Sequence, residues 1–98
     1  MAKFRKKVVV EAFQLTSETR RSNVDWPNWA HKAWNKEPTE VGALLSNGTP
    51  DGPLYVFTIR GNMQINFGDW IIQDIAGELY SCKPDIFEAA YESIEKGI

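Results

Sequence analysis

The sequence predicts an α+β fold of five to six short antiparallel strands, a curled sheet or partly open barrel, with one short helix near 27–35 and a C-terminal helix near 84–95. Three observations carry this expectation. Apolar and polar residues alternate from Tyr55 to Phe67, the two-residue period of a strand with one buried face. Turn residues punctuate the second half at strand-length intervals: Asn47-Gly48, Pro50-Asp51-Gly52, Gly61-Asn62, Gly68-Asp69 and Ala76-Gly77. Pro27 and Pro84 each open a run whose apolar residues recur at helical spacing, and proline suits the first helical position because no N–H is needed there.

Taken in order, Lys6 to Leu15 reads as a first strand, since Val8, Val9, Val10 and Phe13 are β-branched or aromatic. Its apolar character on both faces predicts a central or well-covered position. Thr16 to Val24 is rich in serine, threonine and arginine, the composition of a connecting loop. In the helix that follows, Asp25 is placed to cap free amides, and Trp26, Trp29, Ala30, Ala33 and Trp34 make an apolar face. Pro38 ends that stretch, and Val41 to Leu45 is short enough for a second strand. Tyr55 to Arg60 then places Tyr55, Phe57 and Ile59 on one face and Val56, Thr58 and Arg60 on the other. A tight turn at Gly61-Asn62 leads into a strand with Met63, Ile65 and Phe67 on a common face. Trp70 to Ile75 and Glu78 to Lys83 complete a meander. The last helix aligns Ile86, Phe87, Ala90, Tyr91 and Ile94, with Asp85 and Glu88 in the first turn, where the helix dipole favours negative charge.

A length of 98 residues suits one domain, since half of it would be too small to bury a core of its own. No run approaches the ~20 apolar residues that span a bilayer, and the basic start lacks the apolar stretch of a secretory signal. With Cys82 the only cysteine, no internal disulfide forms and the cytoplasm is the expected address. A net charge of −2 argues against broad nucleic-acid binding, which needs a surplus of lysine and arginine. The charge is uneven: Lys3, Arg5, Lys6 and Lys7 crowd the start, whereas Asp69, Asp74, Glu78, Asp85, Glu88, Glu92 and Glu95 make the last third acidic.

Two blocks carry a resemblance. Lys3-Phe4-Arg5-Lys6-Lys7 followed by Val9-Val10-Glu11-Ala12-Phe13-Gln14 forms the first. The second runs from Gly68-Asp69-Trp70-Ile71-Ile72 through Gly77-Glu78-Leu79-Tyr80 and Cys82-Lys83-Pro84-Asp85-Ile86-Phe87-Glu88 to Tyr91-Glu92. Together they resemble a small family of phage and prophage proteins. The resemblance implies viral origin and a host-cytoplasm setting, and brings no catalytic residues with it. The chain departs from the family pattern at Val8, Phe67 and Ser81, where relatives carry proline, and at Leu15, where they carry tryptophan; these changes bear on turn geometry.

No motif points to catalysis. Cys82 and the lone His31 have no triad spacing, one histidine and one cysteine cannot make a structural zinc set, and no glycine-rich phosphate loop precedes a helix. The expectation is therefore a non-catalytic binding protein without cofactor or metal and without membrane association, forming a homo-oligomer. Its expected ligand is small and anionic or nucleotide-like, sequestered as an anti-defence measure. Candidate ligand contacts are Arg5, Lys6, Lys7, Arg60 and Lys83 for phosphate, with Trp70, Glu78 and Tyr80 for stacking and polar contacts. Trp26, Trp29 and Trp34 are interface candidates, because four tryptophans are hard to bury in so short a chain, and Trp26 or Trp34 is the one expected to be exposed. The alternatives are an inhibitor that binds a host protein and a minor virion or assembly component.

Overall fold

A computed structural model describes residues 2–4, 9–23, 25–49 and 51–92. Among them the chain is α+β, with six strands in two three-stranded antiparallel sheets and three short helices. The first sheet has the order β1-β5-β6, from β1 (Glu11–Gln14), β5 (Trp70–Gln73) and β6 (Leu79–Cys82). The second has the order β2-β3-β4, from β2 (Leu44–Ser46), β3 (Leu54–Thr58) and β4 (Gly61–Ile65). Among the described residues the sheets do not close into a barrel. Instead of a continuous meander, the chain leaves one sheet after Ile65 and enters the other at Trp70.

That crossing is bonded to the end of β1. The Leu15 amide donates to the Asp69 carbonyl at 2.9 Å, and the Gly68 amide donates to the Leu15 carbonyl at 2.7 Å. Gly68 has φ 95, a left-handed conformation that favours glycine. Asp69, 4% exposed, accepts from the Asn66 amide at 3.0 Å through its carboxylate, which also lies 3.7 Å from the Lys83 ammonium.

Directly opposed residues in an antiparallel pair share a face. In the first sheet Phe13 opposes Ile71, and Gln73 opposes both Glu11 and Leu79, so these residues line one face. Ala12, Ile72, Tyr80, Trp70 and Cys82 line the other. Ile71 and Ile72 are both fully buried, which makes β5 the covered central strand and β1 an edge, the reverse of the expectation for the valine-rich start. The expected first strand is also shorter: it spans Glu11–Gln14, and Arg5 to Val8 lie outside the described residues.

In the second sheet Leu54, Val56 and Ile65 are buried, while Ile59 is 86% exposed. The face that carries Tyr55, Phe57 and Ile59 is thus the less buried one. Leu54 belongs to the strand and Thr58 pairs with Gly61, which puts the turn at Ile59-Arg60 rather than Gly61-Asn62. Counting a two-residue period from Leu54 rather than Tyr55 exchanges the two faces.

The expected loop at Thr16 to Val24 contains a helix, α1 (Ser17–Arg21). It is started by a reciprocal cap in which the Thr16 hydroxyl accepts from the Thr19 amide at 3.2 Å and the Thr19 hydroxyl accepts from the Thr16 amide at 2.8 Å. Arg20 then pins the β2–β3 loop, its guanidinium donating to the Gly52 carbonyl, the Ser46 hydroxyl and the Thr49 carbonyl at 2.8–2.9 Å. A planar fork of donors suits three acceptors spread over one loop, which a lysine point charge could not serve.

The tryptophan helix is α2 (Asn28–Trp34), with Pro27 at the N-cap position and no side-chain cap from Asp25. Ala30 and Ala33 are buried, allowing close approach to a core of Phe13, Leu15, Leu44, Leu54, Val56, Ile65 and Ile71. The final helix, α3 (Pro84–Ala90), carries proline in its first turn as expected and ends at Ala90, short of the expected 95. It has no buried residue, and Ile86 is 57% exposed. Phe87 holds it in place by stacking on Trp70 at 4.1 Å, and Tyr91 at the C-cap stacks on Phe87 in turn at 4.9 Å.

Candidate functional site

The face Trp29, Lys32, Ala33 and Lys36 of α2 and its C-terminal turn follows the i, i+3, i+4, i+7 spacing of one helical side. Opposite it stand Gln73 at the end of β5, Gly77 in the β5–β6 turn and Leu79 at the start of β6. With Gly42, these residues line a cleft of about 140 Å³.

Its walls are fixed by separate contacts. The Trp29 indole N–H donates to the Glu11 carboxylate at 3.0 Å, and its ring packs on Phe13 at 5.7 Å. The Lys36 ammonium donates to the Val41 carbonyl at 3.4 Å and sits above Gly42, where a Cβ would approach it to 3.1 Å. The nearby Asp74 carboxylate accepts from the Ala76 and Glu78 amides at 2.9 and 3.0 Å and so ties down the turn. Lys32 makes no ion pair among the described residues. The cleft is therefore lined by two lysines and an aromatic ring from α2 and its C-terminal turn, and by the Gln73 amide from β5.

A second hollow, of about 400 Å³, is lined by Asp51, Pro53, Asn66 and Phe67. Its charged group is a carboxylate, which disfavours an anion. Among the described residues no group of three metal-ligating side chains is found, and no helix is long and apolar enough to cross a membrane.

The candidates named from the sequence are dispersed. Arg60 is exposed in the β3–β4 turn, its amide donating to the Thr58 hydroxyl. Trp70 is half-buried under Phe87, and Lys83 pairs with Asp69 at the N-cap of α3. Glu78 is exposed and precedes β6, whereas Tyr80 lies within it on the α3-covered face. Arg5, Lys6 and Lys7 lie outside the described residues. Trp26, expected at an interface, is instead 6% exposed, with its indole N–H donating to the Thr19 carbonyl at 2.7 Å. Trp34 packs edge-on against it at 5.7 Å and is half-buried. Of the three tryptophans only Trp29 lines the cleft.

Lys32, Lys36 and Gln73 are absent from the sequence-derived candidates. The lysines carry a readable signal, their i, i+4 spacing beside Trp29. Gln73 carries none, because strand pairing alone brings it across from α2.

Burial, and then the adjacent Tyr91 hydroxyl, push the Tyr80 phenol from 10.0 up to about 12. A group that holds its proton more tightly when folded contributes its full stabilisation below the unfolded value and loses it as pH rises through the folded one. Stability should accordingly fall between pH 10.0 and about 12, and Tyr80→Phe should remove this part of the alkaline loss in denaturant titrations. An unchanged alkaline profile in Tyr80→Phe would assign the loss elsewhere.

The chain matches no family model, no curated protein and no solved structure.

Proposed function

We propose that this chain is a non-catalytic binding protein that takes a small anionic ligand in the cleft between α2 and the β5–β6 turn. The observation that supports it is the convergence of Lys32, Lys36, Gln73 and the Trp29 ring on one concave surface. The acidic net charge leaves such a site to work by local contacts, because the field of the whole chain does not draw anions in. Read with the resemblance to phage proteins, the module would act in a host cytoplasm by withholding a nucleotide-like signal from a defence pathway.

Isothermal titration of the full chain against nucleotides, cyclic nucleotides and small carboxylates tests this. Saturable one-site heat that is lost in Lys32→Gln is the expected result, and flat traces across the whole panel would sink the reading.

A second reading is docking on a host protein, with the exposed side chains of Val41, Ile59, Phe67, Ile75 and Ile86 as its candidate contacts. A stoichiometric complex that survives high salt and is indifferent to Lys32→Gln is its signature.

A further inference from the structure

Resting on the anion-binding reading of the cleft, we infer that the group it receives is a terminal phosphate monoester, held between Lys36 and Lys32, with a planar portion of the ligand lying against Trp29.

Size is the first argument. Pockets that enclose a drug-sized ligand run to ~300–1,000 Å³. At about 140 Å³ this open cleft has room for one compact head group and leaves the rest of the ligand outside.

Charge is the second. Lys32 and Lys36 both line the cleft, and two positive charges match a group carrying about −1.5 to −2 charges at neutral pH better than a single carboxylate or a phosphodiester, with the Glu11 carboxylate held on the Trp29 indole N–H. Lysine serves phosphate as a point charge, without the bidentate geometry an arginine would add.

The two lysines differ in preparation. Lys36 is already held by the Val41 carbonyl over the bare backbone of Gly42. Lys32 is exposed and has no ion-pair partner among the described residues, so it is free to close on an anion that Lys36 has received. Trp29, oriented by Glu11, supplies the ring face.

The discriminating probes are phenyl phosphate, its methyl diester, benzoate and inorganic phosphate, followed by NMR of the indole N–H of Trp29 and the side-chain amide of Gln73. Phenyl phosphate should move both signals and saturate, with a Kd on the order of 1 mM for so small a ligand. Lys32→Gln and Lys36→Gln should each weaken it about tenfold, and Lys32→Arg should restore most of the loss as a retained charge. Unchanged melting temperatures in these variants would separate lost contact from lost fold. Equal binding of benzoate or of the diester overturns the monoester assignment but leaves anion binding standing. No shift with any probe, together with flat calorimetry, overturns both.

Discussion

Leu15→Ala is expected to lower stability by roughly 2–5 kcal/mol, the range for deleting a fully buried leucine whose cavity cannot collapse. Leu15 is completely shielded from solvent. Both its backbone groups are engaged with the Gly68–Asp69 crossing, so neither β1 nor the crossing can shift to fill the space without breaking hydrogen bonds. A domain of this length has about 5–15 kcal/mol in total, so the variant should unfold at a much lower urea concentration with an unchanged slope. Val9→Ala, at a position 68% exposed, should change stability by less than about 0.5 kcal/mol. Equal midpoints for the two variants would contradict the placement of Leu15 at the junction of the sheets.

Trp26 gives the second large effect. Trp26→Ala should cost about 3–5 kcal/mol. Trp26→Phe should fall between alanine and the native residue, since it keeps ring packing against Phe13 and Trp34 but loses about 1 kcal/mol with the hydrogen bond to the Thr19 carbonyl. The same pair of variants separates a core residue from an interface residue. An interface tryptophan would lose association on truncation while the monomer kept its melting temperature. Here the melting temperature should drop at every protein concentration.

The hydrogen bond from Trp26 to Thr19 also explains why the short α1 is stable. A five-residue helix has little stability of its own in water. The Thr16–Thr19 cap starts it, Trp26 takes one of its carbonyls, and the three bonds from Arg20 fasten it to the β2–β3 loop. Polar composition marked this segment as a loop because composition reports which side chains avoid the core. It does not report which backbone groups find partners at a distance.

The same distinction separates the legible from the illegible elsewhere. Pro84 and the aromatic spacing after it disclosed α3, and the glycine-rich turns disclosed the hairpins, because proline, glycine and side-chain period constrain the backbone within a few residues. In the candidate site, the lysine spacing beside Trp29 was equally local. Gln73, Gly77 and Leu79 were not visible as partners of that helix face.

By itself, then, the sequence determined an α+β chain of short antiparallel strands and the helices near Trp29 and Phe87. Tertiary structure alone decided that the strands divide into two sheets, that β5 and not β1 is the covered strand, that Trp26 is buried, and that Gln73 faces Lys32 and Lys36. The physical reason is range. Dihedral preference and hydrophobic period act over one turn or one hairpin, whereas sheet order and cleft lining depend on which surfaces remain to be buried once those local pieces meet.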